Sequence, residues 1–204
     1  AGGGELVRLR DANDNVVDEV RYHDGGRWSE WADGGGASLE LRDPRADNAV
    51  GEAWTASDES LATPWQTFSH TGTGAHATTS SLTYFNEFLM GLLDAGEVLV
   101  DDISVKEVNQ GNRELIQNGT FDSGTAATWR NIGTHAFSTV VDDPFAPGNK
   151  VLKLVATGAT EHMHNHCETT LKSGSTYVAL STASTYTVSF RAKWLRGSNR
   201  LHTR

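Results

Sequence analysis

An all-β fold is predicted by three features of this sequence. Its apolar residues come in short runs rich in β-branched side chains, the breaks between them are dense in Gly, Asn and Asp, and one run alternates cleanly. In that run Tyr186, Val188, Phe190, Ala192 and Trp194 are interleaved with Thr187, Ser189, Arg191 and Lys193, so one face packs inward and the other is wet. Gly accounts for 21 of 204 residues and Pro for only 4, which suits a chain of strands joined by glycine turns. With 6 Trp, 4 Tyr and 7 Phe, the 37% hydrophobic content supports a packed core rather than a disordered chain.

The elements follow in order. Leu6 to Arg10 reads as a strand, residues 11–15 as a turn rich in Asn and Asp, and Val16 to Tyr22 as a second strand, together a hairpin. His23-Asp24-Gly25-Gly26 turns the chain, Trp28 and Trp31 follow, and residues 34–42 lead into a third strand that Asp43-Pro44 ends. A polar link, 55–63, precedes a strand from Trp65 to His70, and the Gly/Thr/Ser run 71–81 is the most loop-like part of the chain. The segment NEFLMGLL, 86–93, fits a buried strand or a helical turn by periodicity alone. Gly91 and Asp94-Ala95-Gly96 fit a hairpin into the next run, so a strand is expected.

Residues 96–124 divide the rest of the chain. Val98, Val100 and Ile103 to Val105 form a strand carrying Asp101 and Asp102, which the soft run Asn109-Gln110-Gly111-Asn112 ends. Leu115 and Ile116 restart the apolar signal, and Asn118-Gly119 supplies residues that tolerate positive φ in a tight turn. A module boundary is therefore expected near Asn109. Further strands are expected over 133–141, 150–157 and 184–195, with turns at Asp142-Asp143-Pro144 and Ala146-Pro147-Gly148-Asn149.

The order LVRLRDANDNVVDEVRY, a Trp-containing loop and GGGASLELRDP resembles the C-terminal half of the bacterial lamin tail domain over residues 3–56. That resemblance implies an immunoglobulin-like sandwich whose opening strands precede Ala1. Over 57–108, the Gly-x-Val-x-Val-Asp-Asp pattern at Gly96 to Asp102 resembles the closing strand of a jelly-roll carbohydrate-binding module of galactose-binding-like type. ELIQNGTFD followed by Trp129 resembles the opening of a second such module over 109–204. The expected fold is thus all-β, made of β-sandwich pieces, one immunoglobulin-like and two incomplete jelly-rolls, divided 1–56, 57–108 and 109–204.

The function these resemblances imply is non-catalytic: a secreted or cell-surface region of a larger multidomain bacterial protein. Its partners would be polysaccharide or cell-surface glycan and the other domains of the same polypeptide. Ala1 is not an initiator Met, so the chain reads as a piece of something longer. The net charge of −9 argues against a nucleic-acid partner, which needs a concentrated basic surface. No apolar run approaches the ~20 residues of a spanning helix, so direct membrane insertion is not expected. The single Cys167 excludes an internal disulfide.

Candidate chemistry centres on EHMHNHCE, 161–168. If it is extended, a period of two puts His162, His164 and His166 on one face and Met163, Asn165 and Cys167 on the other. Three readings are open: ligation of zinc or copper, which makes a metal-dependent and even enzymatic site over His162 to His166 the runner-up function; a place in the concave sugar-binding face; and a plain structural role. His162 and His166 would lie about 13 Å apart along a strand, too far for one ion. Two adjacent histidines, His164 and His166, with a ligand from elsewhere such as His135, are the largest set that converges. The resemblance to carbohydrate modules also implies a structural calcium, for which Asp122 matches the opening position and Asp101 or Asp102 the closing one. Solvated turn and strand-end carboxylates are the alternative.

Sugar binding needs aromatic platforms beside polar side chains. Trp129, Trp65 and Trp194 are available, with Trp194 and Trp129 also fitting core positions, and His135, His162, His164 and His166 complete the candidate sugar contacts. No Gly-x-Ser-x-Gly elbow, phosphate-binding glycine loop or Cys-x-x-Cys pair is present. Glu161 and Glu168 are a weak candidate acid pair, and Asn118-Gly119-Thr120 is formally a glycosylation sequon.

Overall fold

The computed structural model describes residues 4–33, 36–61, 63–75, 86–160 and 164–204. In chain order its strands are β1 Glu5–Arg10, β2 Val16–Tyr22, β3 Leu39–Leu41, β4 Trp54–Ala56, β5 Gln66–Thr73, β6 Glu87–Leu92, β7 Gly96–Glu107 and β8 Arg113–Glu114. They continue with β9 Trp129–Ile132, β10 Thr139–Asp142, β11 Lys150–Ala156, β12 His166–Thr170, β13 Lys172–Ser173, β14 Thr176–Tyr177, β15 Thr185–Gly197 and β16 Leu201–Thr203. The only helical pieces among the described residues are single 3₁₀ turns, so the chain is all-β, as its glycine-punctuated pattern predicts.

Two sheets carry most of the structure. One runs β10-β11-β7-β15-β5, with the short β8 on the end of β7, and the other runs β16-β6-β12-β9. Their pairings are antiparallel. The alternation of each strand turns Phe88, Met90 and Leu92 of β6 towards Val98, Val100 and Val105 of β7 and Leu152 and Leu154 of β11, forming one buried core. Fully burying side chains of this size contributes about 1.5–3 kcal/mol each, and that shared core makes the unit β-sandwich-like.

The boundary expected near Asn109 does not separate packing units. β7, before it, lies between β11 and β15, both after it, and β6 lies between β12 and β16. Val108 to Gln110 form a 3₁₀ turn, Gly111 and Asn112 take positive φ (68° and 60°), and β8 folds straight back onto β7. A tight reversal and an interdomain linker draw on the same Gly and Asn chemistry, so composition alone could not tell them apart.

Asn118-Gly119 forms the predicted turn and docks it. Asn118 takes φ 59°, and the Gly119 carbonyl accepts the Ile103 amide at 3.0 Å. A Cβ on Gly119 would stand 1.9 Å from the Ile103 carbonyl oxygen, so the approach requires glycine. Segment 86–93 is a strand, as expected, over β6.

β15 keeps its predicted inward series, with Tyr186, Val188, Phe190, Ala192 and Trp194 in or against the core, but its other face is not uniformly wet. Lys193, assigned to the wet face, is buried: its ammonium donates to the Thr63 carbonyl and lies 4.2 Å from the Phe145 ring centroid. The register shift on β15 itself, at Trp194/Arg196, comes only after Lys193, so the cover of Thr63 and Phe145 buries this side chain without a change of face. Trp194 is packed against the core and donates its indole N–H to the Gly197 carbonyl at 3.0 Å.

The N-terminal segment forms the predicted β1–β2 hairpin and a separate β3–β4 pair. Between them lies a cavity of about 550 Å³ whose lining includes Val7, Val20, Tyr22, Leu39 and Trp54. Trp31 of this segment stacks on the Arg196 guanidinium, 5.1 Å from the ring centroid, so it rests on the end of β15.

Candidate functional site

The outward face of the four-stranded sheet gathers the polar side chains that the core excludes. Because Phe88 and Met90 point inward on β6, Glu87 and Leu89 point outward and Gly91 leaves that face open; on β12, Cys167 and Thr169 point inward and His166, Glu168 and Thr170 outward. On β9, Trp129 is inward and Arg130 outward. The register sets Glu168 opposite Arg130 and Thr170 opposite Glu87, so the four side chains meet across three strands.

Arg130 is the centre of this row. Its Nε donates to Glu168 Oε1 at 2.6 Å, its Nη2 to Glu87 Oε1 at 3.1 Å and its Nη1 to Thr170 Oγ1 at 3.3 Å, while its side chain remains 48% exposed. Glu168 is buried, and its second oxygen accepts from His166 Nε2 at 2.9 Å. Burial by itself would raise the Glu168 pKa, but the His166 and Arg130 hydrogen bonds and the Arg130 charge outweigh it and hold the carboxyl below its ordinary value. An ionised Glu168 bonds only as an acceptor, so the His166 proton sits on Nε2. The result is a guanidinium fixed by two carboxylates and a hydroxyl, with its outer side open to solvent.

A second group of imidazoles sits at the end of β6. His135 is fully buried; its Nε2 accepts the Leu92 amide at 2.9 Å and its Nδ1 meets Thr134 Oγ1 at 3.1 Å. The ring is therefore neutral, with its proton on Nδ1. Burial first, and then the nearby His202 and His166, push its pKa down to about 4. Gly91 makes the room: a Cβ there would lie 3.1 Å from His202 Cε1, 3.2 Å from His135 Nε2 and 3.3 Å from the Asn165 carbonyl oxygen. His202 has a buried Nδ1 without a hydrogen-bond partner, and burial, His166 and Arg204 lower its pKa.

The structure distributes the residues singled out from sequence as follows. His166 and Cys167 show the predicted alternation, one on the outer side and one in the core. His164 lies in a turn before β12, its ring 6.5 Å from that of His166, and His162 falls outside the described residues. Trp129 is in the core, edge-on to Phe88 at 6.3 Å and tilted against Phe121 at 5.8 Å, with its indole N–H on the Asn118 carbonyl at 3.3 Å. Its faces meet apolar side chains, so it is no solvent-facing platform for a sugar.

Asp101, Asp102 and Asp122 are not brought together. Asp101, 1% exposed, accepts from Arg191 Nη2 at 2.6 Å and Asn149 Nδ2 at 3.0 Å. Asp102 pairs with Arg191 Nε at 2.6 Å, and Asp122 accepts from Thr120 Oγ1 at 2.7 Å. Among the described residues no three His, Cys, Asp or Glu side chains converge into a metal site, and neither the calcium set nor a His164–His166–His135 set is assembled. Arg191 supplies the positive charge that a cation would bring to Asp101 and Asp102.

Arg130, Thr170, Glu87 and His202 were not legible as site residues. They come from strands separated in sequence, and only the sheet register aligns them. The one signal was a charged residue alternating with Trp129 in a short strand. Comparison with protein-family models, curated proteins and solved structures found no match.

Proposed function

We propose that this chain is a non-catalytic region of a larger secreted or cell-surface bacterial protein, and that it attaches that protein to polysaccharide through the outward face of β6, β12 and β9. The observation that carries this reading is the half-exposed Arg130 guanidinium, held by Glu168 and Thr170 of the adjacent β12 and by Glu87 of β6, one strand further. Sugar hydroxyls pair well with a fixed fork of donors flanked by carboxylate acceptors, because few rotamers are then frozen on binding. His166 contributes by bracing Glu168. The lamin-tail and jelly-roll resemblances in the sequence point the same way, with the N-terminal segment as a structural neighbour of the binding part.

A glycan array covering plant, algal and bacterial polysaccharides, probed with the wild-type chain and Arg130→Ala, tests the proposal. Binding by wild type that falls at least tenfold in the variant is expected. Silence of the wild type across the array would leave a purely structural interaction role instead.

A further inference from the structure

β5 forms an outer edge of the larger sheet, and its chemistry is unusual for an edge. It spans eight residues, Gln66–Thr73, with no Lys, Arg, Asp, Glu or Pro, and its pairing with β15 is uninterrupted from Gln66 to Thr73. Edges are ordinarily blunted by charge, proline or a bulge, since unpaired N–H and C=O groups template another strand. Among the described residues no strand covers the far side of β5.

The register shows which groups are open. Gly74 N–H bonds the Ser184 carbonyl at 2.9 Å, one step beyond the Thr73–Thr185 pair. In an antiparallel ladder, hydrogen-bonded pairs alternate with unbonded ones. The even-numbered residues from Gln66 to Gly74 therefore bond β15, and Thr67, Ser69, Thr71 and Thr73 turn their amides and carbonyls outward. Thr71 and Thr187, an unbonded pair, are joined instead through their hydroxyls at 2.8 Å.

We propose that this edge receives the β5 of a second copy of the same chain, antiparallel, about a twofold axis through Ser69. That axis sets Ser69 against Ser69 of the second copy and Thr67 against Thr71, so the outward groups meet one another in about six N–H to C=O bonds. On the other face it sets Phe68 against His70 of the second copy. Phe68 is 44% exposed and stacks on Phe190 at 5.4 Å, so the pairing continues an aromatic row across the junction and covers its free side. The segment is uncharged in a chain of net charge −9, so the edges meet without like charges facing each other, and added salt strengthens association by screening the remaining charge.

Sedimentation equilibrium over rising concentration reads the mass. Wild type is expected to double from the 22.0 kDa of one chain. Ser69→Pro removes an outward amide that β15 does not use, and Ser69→Lys places two ammonium groups at the axis; both are expected to remain single chains. Far-UV circular dichroism checks that their folds are unchanged, and Thr187→Lys, on β15, keeps the dimer. In a second experiment Ser69→Cys is expected to form an interchain disulfide on mild oxidation, since directly opposed residues lie within disulfide reach. Thr73→Cys is expected not to, its two copies standing about 26 Å apart. A wild-type mass that stays at one chain, a dimer untouched by both Ser69 variants, or equal cross-linking at Thr73 would overturn the proposal.

Discussion

Single residues fix both strained and buried points. At His135 the neutral ring is part of the fold, because protonating Nε2 would remove the acceptor for the buried Leu92 amide. An unfolded histidine titrates near 6.5 and the folded His135 at about 4. Between these values the unfolded chain takes up the proton first, so this contribution is full above about pH 6.5 and is lost progressively as pH falls to about 4. Urea unfolding at pH 7 and pH 5 should show lower stability at pH 5. His135→Ala should lower stability at pH 7 by about 1–3 kcal/mol, the cost of an orphaned buried donor, and flatten the difference between the two pH values; an unchanged pH slope would refute the assignment. Gly119→Ala meets the Ile103 carbonyl and should cost at least about 2 kcal/mol by the same measurement.

At the scale of elements, ion pairs tie the two longest strands. Arg191 on β15 binds Asp101 and Asp102 on β7, and its guanidinium lies 5.0 Å from the Trp65 ring centroid. Arg191→Met leaves the buried Asp101 carboxylate with Asn149 and the Asp102 amide, and should destabilise the chain by about 3 kcal/mol. Asp101→Asn in that background should recover part of the loss, which a double-mutant cycle on thermal unfolding reads out. If Asp101→Asn lowers stability further, the uncompensated charge is not the cause. The strands themselves were largely legible: β1, β2, β6 and β7 lie where alternation, β-branched runs and turn residues place them. Pairing was not. The turn at 108–112 has the composition of a linker, and the covering of Lys193 depends on Thr63 and Phe145, which only tertiary contacts bring near. Trp129 fitted both a platform and a core position in the sequence, and the neighbours that decide, Phe88 and Phe121, come from elsewhere in the chain.

For the whole molecule, the interleaving of strands before and after residue 109 makes cooperation across that point a requirement. Residues 109–204 made alone would lack the edge strand β5 and also β7 and β6, interior strands of the two sheets. They should give no cooperative thermal transition, whereas residues 57–204 should; a cooperative transition in the shorter piece would restore the boundary. The same interleaving creates the proposed binding face, since Glu87 comes from before residue 109 and Arg130, Glu168 and Thr170 from after it. The most direct measurement of the central claim is amide chemical-shift mapping by NMR during titration with a polysaccharide fragment that the chain retains. The predicted result is a cluster of shifts on residues 87–91, 129–132 and 166–170, absent in Arg130→Ala. Shifts confined to the β1–β2 hairpin and its cavity, or unchanged binding in Arg130→Ala, would contradict it.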